Sequence, residues 1–249
     1  MDLSIRPICV GTLTEDKSLF TYLMNFGVKI EIPVLMWYIE GAEKRVLVDT
    51  GCCTPAWSRE YHMPVTQTKD QEPLNALRRN GIMPEDIDIV ILSHLHWDHS
   101  SNNGLFKNAT FLVQKKELEY AASPLPVHLR GYEAPQLGMR PHYLGVKFTV
   151  IDGDHQVVPG VSIILTPGHS PGSQCVTVDT REGTYVIAAD TVPLYENWAG
   201  KPPLLPHIAS GIHVGLVESY ESFKKIELVA DSLLPGHDPA VLQKERYPD

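Results

Sequence analysis

The chain has 249 residues, 43% hydrophobic and 20% charged, a composition that can bury a core and excludes wholesale disorder. Its 21 Lys and Arg stand against 30 Asp and Glu, giving a net charge of −9, and no Lys/Arg run exceeds two. A nucleic-acid partner needs clustered cations to displace counterions, so none is expected.

The amino terminus, MDLSIRPICVGTLTEDKS, has no basic segment leading into an apolar one, so no signal peptide is predicted. The longest apolar stretch, 32–39, contains Pro33 and is too short to cross a bilayer. A cytoplasmic location with no membrane association is the expectation. Cys9, Cys52, Cys53 and Cys175 form no CxxC pair, and reduced, mostly buried thiols are expected. The adjacent Cys52 and Cys53 follow a strand end, and packing as small hydrophobes is preferred to thiol chemistry there.

In chain order, strands are predicted at 5–10, 34–39, 46–49, 87–92, 110–114, 147–151, 161–165, 175–178, 185–188 and 232–234. Their Val, Ile, Leu and Tyr content and bounding Gly, Pro, Asp and Thr residues support this. Helices are predicted at 72–80, 115–121 and 218–229. The first ends at Gly81, suited to a left-handed helix end, and the third carries Tyr220, Phe223, Ile226 and Val229 as one apolar stripe. Many strands with few helices suggest packed sheets with helices outside, in a single domain spanning 1–249. Two stretches resist assignment: 53–71, with Trp57, Tyr61 and His62, and 123–145, with four prolines, His128, Tyr132 and His142. Loops of that length are either functional or surface excursions.

The sharpest motif is His94-Leu95-His96-Trp97-Asp98-His99, directly after the apolar run 87–92. This places it at a strand's carboxyl end, where α/β sheets build sites. In an extended segment residues two apart point the same way, so His94 and His96 can serve one metal. Asp98 and His99 follow and can diverge toward a second. H-x-H-x-D-H arises by chance in roughly one shuffled sequence per thousand of this composition. Further candidates also sit at strand ends: His169 in TPGHSPG after 161–165, Asp190 after 185–188, and His237 in LPGHD after 232–234. Five His and two Asp suffice for two divalent metals, since imidazole and carboxylate are the donors of hydrolytic sites.

With these motifs, the strand end Leu47-Val48-Asp49-Thr50-Gly51, the PGHSPGS loop and the terminal PGHD, the sequence resembles the metallo-β-lactamase superfamily across nearly its whole length. It is most similar there to the N-acyl homoserine lactonase group. The resemblance implies an α/β fold, a four-layer αββα sandwich with the site at one edge. It assigns His94, His96 and His169 to one metal, Asp98, His99 and His237 to the other, Asp190 as the bridge, and Asp49 as a carboxylate steadying the ligand loop. It also implies a homodimer, for which the polar 53–71 stretch offers a contact surface.

Within that superfamily, thioesterases of the glyoxalase II kind carry a helical domain after the last ligand, and only 12 residues follow His237 here. Flavodiiron proteins usually place an acidic residue where His96 stands, and secreted β-lactamases a thiol where Asp190 stands. RNA-processing members need basic surface. What remains is hydrolysis of a small ester or lactone, and the resemblance to the lactonase group implies a metal-dependent hydrolase opening the ester bond of a small neutral or anionic lactone by attack of a metal-bridging hydroxide. Zn²⁺ is the first expectation for both ions, with Mn, Fe or Co accepted by the same donors. Asp98, facing the reacting centre, would return the proton to the leaving alkoxide. The alternatives are a linear ester, thioester or phosphodiester as substrate, and a non-catalytic metal-binding interaction protein. Retention of all seven ligand positions argues against the last.

Two departures from the lactonase pattern stand out. The position usually held by a substrate-binding tyrosine, three after the bridging Asp, is Pro193, and Tyr195 is the nearest substitute. Ser100-Ser101-Asn102-Asn103-Gly104 replaces early glycines after the motif and is expected to reshape the pocket. His207 and His213, in the loop expected over 192–215, are candidates for the pocket lining. His62, His128, His142 and His155 carry no assignment. Trp57, Trp97, Trp198, Leu204 and Leu205 are candidates for its apolar wall.

Overall fold

The computed structural model describes residues 2–249. Two long antiparallel strands open the chain, β1 (Ser4–Asp16) and β2 (Lys29–Glu40), followed by β3 (Val46–Val48), α1 (Pro55–Tyr61), β4 (Val65–Thr66) and α2 (Pro73–Arg79). Then come β5 (Ile89–Ile91), α3 (Trp97–Ser100), β6 (Thr110–Gln114), α4 (Lys115–Ala122) and β7 (Phe148–Ile151). The second half holds β8 (His155–Val158), β9 (Val161–Leu165), β10 (Gln174–Thr180), β11 (Gly183–Ala189), α5 (Tyr195–Ala199), α6 (Leu216–Glu227) and β12 (Ser232–Pro235).

The strands form a seven-stranded sheet, β4-β1-β2-β3-β5-β6-β7, and a five-stranded sheet, β12-β11-β10-β9-β8. β3, β5, β6 and β7 run parallel, as do β11 and β12, and the other pairs are antiparallel. The apolar run in β2 explains the layering. Successive strand residues face opposite sides, so Val34 and Met36 enter one cluster and Leu35, Trp37 and Ile39 another. The second cluster is the interior between the sheets, where Val48, Ile91 and Leu112 meet Val161, Ile163, Val176 and Ile187. The outer face of the larger sheet takes Ala76 and Leu77 of α2 and Ala121 of α4. That of the smaller sheet takes Phe223 and Ile226 of α6. The result is the expected αββα order, with both sheets buried on both faces, which is why their strands read as continuous apolar runs.

All ten predicted strands and three predicted helices are present, and the differences have local causes. The strand expected to reach Asp49 ends at Val48, because Asp49 turns out of it at φ +60. Val229, predicted as helical, lies beyond α6 and is exposed, so the stripe ends at Ile226. The unassigned stretch 53–71 contains α1 and β4. Thr54 caps α1 by accepting from Trp57 N, and Pro55 sits in its first turn, signals overshadowed by the polar residues that follow. β8 is not among the predicted strands because His155 and Gln156 give an edge strand little apolar character. The loop expected over 192–215 contains α5. All four cysteines are free, with Cys52, Cys53 and Cys175 buried, and burial pushes Cys52 and Cys175 well away from reactivity, Cys175 up to about 11. Among the described residues no helix is long and apolar enough to cross a membrane.

Candidate metal centre

All seven candidate ligands lie at one edge of the sandwich, at the carboxyl ends of β5, β9, β11 and β12. The segment after β5 stays extended through His96 and then turns into α3, whose first turn carries Asp98 and His99. His94 Nε2 and His96 Nδ1 therefore meet, while the His99 ring packs beside His94 with centroids 4.2 Å apart and turns its Nε2 to Asp190.

The histidine nitrogens show what the site is built for. His94 Nε2, His96 Nδ1 and His169 Nε2 lie 3.0, 3.2 and 3.0 Å apart. A tetrahedral ion with ~2.0–2.1 Å bonds to nitrogen separates its donors by about 3.3–3.4 Å, so this triangle is slightly tighter than one face of such a shell. Beside it, Asp98, His99 and His237 bring their donor atoms within 4.8 Å of one another. Asp190 stands between the groups. Its Oδ1 is 3.1 Å from His99 Nε2 and 3.0 Å from His237 Nε2, and its Oδ2 is 3.4 Å from His169 Nε2.

Backing groups decide which nitrogen faces inward. His99 Nδ1–H donates to Asp49 Oδ2 at 2.8 Å, His169 Nδ1–H to Ile212 O at 2.9 Å, and His237 Nδ1–H to Pro33 O at 2.9 Å. His94 Nδ1–H donates at 3.0 Å to Ser93 Oγ, which donates at 2.8 Å to Asp49 Oδ2. In the neutral form each ring then aims an Nε2 lone pair at its neighbours. Asp49 also accepts from Ser93 N at 2.7 Å, the steadying role the resemblance implies. His96 is turned the other way, held between the Tyr132 ring and Gly131, where any Cβ would press on its imidazole at 3.0 Å.

Lone pairs facing lone pairs and a carboxylate demand cations. His99 Nε2, His237 Nε2 and Asp190 Oδ1 are buried without a hydrogen-bond partner. Burial pushes His94 and His96 well below the ordinary histidine pKa, leaving them neutral donors. Burial works against charge on His99 and His237 too, but the Asp190 carboxylate pulls both upward. The same histidines hold Asp190 well below the usual carboxylate range, against its burial. The donor set thus fits a dinuclear divalent metal centre, with three nitrogens on one side, a carboxylate and two nitrogens on the other, and Asp190 between.

Two glycines of the PGHSPGS loop are required by close packing. A Cβ on Gly168, at φ +143, would fall 2.7 Å from Ser219 Cα in α6. One on Gly172 would fall 2.3 Å from Glu117 N at the start of α4. Glu117, unremarked in the sequence, is fully buried and accepts from Leu95 N, Tyr132 Oη, Ser170 Oγ and Gly172 N. Burial pushes its pKa up, and these donors oppose that shift.

A cavity of about 520 Å³ opens above His96, Asp98, His169 and Asp190. Leu13, Phe20, Met63, Trp97, Val127 and Ile212 make its apolar wall, and His62, His128, Arg130 and His213 its remaining polar lining. Of the expected lining residues, Trp97 and His213 are there. His207 instead stacks on Trp198, with its nitrogens on Trp198 O and Glu227. Trp57, Trp198, Leu204 and Leu205 do not line the cavity. Neither does 100–104: Asn102 and Asn103 bond to Thr50 and Cys52, bracing the β3 end rather than shaping the pocket.

Tyr195 is not brought to the cavity. Helix α5 begins at this residue, and its ring packs on the cluster between the sheets, beside Tyr185, Tyr247 and Asp238. Burial there pushes its hydroxyl up to about 12. The wall is instead organised by Glu133, a buried carboxylate at φ +48. It takes Trp57 Nε1 at 2.6 Å and His62 Nε2 at 2.8 Å on Oε1, with His142 Nε2 at 2.7 Å from Oε2. Burial opposes its ionisation, but the His142 and His62 contacts outweigh this and hold it at about 2. His62 in turn stacks on Trp97 at 4.5 Å. The two unassigned stretches thus meet on one carboxylate. No local pattern marks it, because Trp57 and His62 come from a distant stretch of the chain and His142 lies nine residues further on.

Lactonases are among the known proteins similar to this chain. An N-acyl homoserine lactonase, AiiA, of Bacillus thuringiensis subsp. kurstaki is 32% identical over 206 residues, covering 79% of this chain and 78% of its own. The N-acyl homoserine lactonase AttM of Rhizobium radiobacter is 29% identical over 258 residues, covering 96% and 94%. An N-acyl homoserine lactone hydrolase solved with the product N-hexanoyl-L-homoserine at its catalytic metal centre superposes with a TM-score of 0.79. It is 26% identical and covers 98% of this chain and 96% of that one. The Metallo-beta-lactamase superfamily profile matches residues 30–237, and the chain belongs to that superfamily.

Proposed function

We propose that this protein is a metal-dependent hydrolase that opens the ester bond of a small lactone of the N-acyl homoserine lactone type. The observation that carries the reading is the convergence of seven buried His and Asp donors under an apolar cavity. It is supported by lactonase relatives spanning most of the chain, one of them holding a lactone's opened product at its metal centre.

His94, His96 and His169 would hold one ion, Asp98, His99 and His237 the other, and Asp190 both. When bound, two divalent ions supply Lewis acidity toward the carbonyl and acidify water to a nucleophile near neutral pH. The chain's own groups do the rest. Backing acceptors fix the rings of His94, His99, His169 and His237, and packing on Tyr132 and Gly131 fixes His96, before substrate arrives, so no reorganisation is needed during reaction. As water adds its oxygen to the carbonyl carbon, Asp98, which lines the cavity, takes the proton that water gives up and passes it to the ring oxygen when the ester C–O bond breaks. The apolar wall of Leu13, Phe20, Met63, Trp97, Val127 and Ile212 excludes water and takes the acyl chain. With Tyr195 turned away, the cavity lining offers the substrate His128 and His213 as hydrogen-bonding groups and Arg130 as a cation.

Zinc in both positions, a cytoplasmic location, one hydrolase domain over 1–249, and a homodimer through the 53–71 face belong to the same proposal. Metal analysis and light scattering read the first and last.

The test is proton release by the metal-replete protein on acyl homoserine lactones of several chain lengths, simple γ- and δ-lactones, linear esters, thioesters and a phosphodiester, each with a chelated control. Chelator-sensitive turnover confined to lactones is the expected result. Faster turnover of a linear ester, thioester or phosphodiester would overturn the substrate and leave the metal centre standing.

A further inference from the structure

The candidate ligands are not all held by the same scaffold. Asp49 and the Pro33 carbonyl back His99 and His237, and Asp49 reaches His94 only through Ser93. The loops carrying His94, His96 and His169 converge on a different group, the Glu117 carboxylate in the first turn of α4. Its Oε1 accepts from Leu95 N at 2.9 Å, the peptide between His94 and His96, and from Tyr132 Oη at 2.9 Å. The Tyr132 ring lies edge-on to His96, with centroids 4.6 Å apart. Its Oε2 accepts from Ser170 Oγ at 2.5 Å and Gly172 N at 3.2 Å, one and three residues beyond His169. Glu117 makes no ion pair among the described residues, so its charge is met by donors from these two loops and the Tyr132 hydroxyl. The approach is close enough that position 172 admits no side chain.

From this convergence we propose that Glu117 is the positioning residue of the three-histidine metal position alone, clamping the His94–His96 loop to the His169 loop, while the Asp98/His99/His237 position is held independently of it. The proposal rests on the two-metal reading above. A neutral amide of the same shape cannot replace Glu117: it offers one acceptor oxygen for four donors, and its NH₂ faces two of them. The loops must then separate, and the nitrogen triangle with them. A residue of merely general structural importance would weaken both metal positions together.

The experiment compares wild type and Glu117→Gln as full-length, zinc-loaded proteins, challenged with graded chelator while bound zinc per chain is measured. Circular dichroism confirms that each is folded. Wild type should hold two ions. Glu117→Gln should give up one at a chelator concentration at least about tenfold lower, with the second released as in wild type. In a His169→Ala background, which already removes that position, Glu117→Gln should add no further shift. Equal weakening of both ions, no shift, or an additive shift in the His169→Ala background would overturn the proposal. Should Glu117→Gln not fold, Tyr132→Phe removes one of the four donors and must shift the same single ion in the same direction, and its failure to do so is equally decisive. A wild type that never binds two ions would sink the two-metal reading itself, a different result from any of these.

Discussion

The two sides of the cavity are built by different means. Its floor is four strand ends, where each imidazole is backed by a buried acceptor or a packed ring and the strands are locked into two sheets. Much of its wall comes from two stretches, 53–71 and 123–145, which supply His62, Met63, Val127, His128 and Arg130 and are joined through the single carboxylate of Glu133. The floor carries chemistry that tolerates little displacement. The wall carries shape, which can change without disturbing the floor. Substitutions on the two sides should therefore separate metal content and turnover from substrate affinity.

The largest effect is expected on the floor. Chelation, or His169→Ala with loss of its metal position, should bring lactone turnover to the uncatalysed rate, measured by proton release beside metal analysis. Asp98→Asn comes next. As proton donor, Asp98 should account for about 10²–10³-fold in turnover, with metal content falling far less. Loss of metal and activity in proportion would reduce Asp98 to a ligand.

On the wall, Glu133→Gln should leave both metals in place, raise KM roughly tenfold, and cost about 1–3 kcal/mol of stability through the unpaired buried donors it leaves. Its pH dependence has a definite sign. The carboxyl is depressed from 4.5 to about 2, so its stabilisation is fully present above the ordinary carboxylate pKa and is lost as the pH falls through about 2. Denaturation midpoints of wild type and Glu133→Gln should therefore converge between about pH 4.5 and 2. The smallest effect belongs to Arg130→Gln at the exposed rim, a change of a few-fold in KM with turnover intact, and Tyr195→Phe should change neither.

The same contrast explains what could be read from the residues in order. The floor was legible because His94, His96, Asp98 and His99 form one contiguous motif, and His169, Asp190 and His237 each follow an apolar strand. The sheets were legible for the same reason, as buried runs with turn residues between them. The wall was not. Glu117 looks like any acidic residue in a helix's first turn, and Glu133 like a polar residue in a proline-rich loop. Their importance comes from donors brought together only by tertiary folding. Tyr195 erred the other way: nearness in sequence to Asp190 suggested nearness in space, but Pro193 and the start of α5 send its ring toward Tyr185 and Tyr247.

The most direct measurement of the central claim is hydrolysis of N-hexanoyl homoserine lactone by the zinc-loaded protein in ¹⁸O-labelled water, followed by mass spectrometry of the product. Opening of the ester at the carbonyl predicts chelator-sensitive formation of the open-chain acid with the label in its carboxylate. Label in the hydroxyl, an unopened ring, or turnover indifferent to chelator would contradict it.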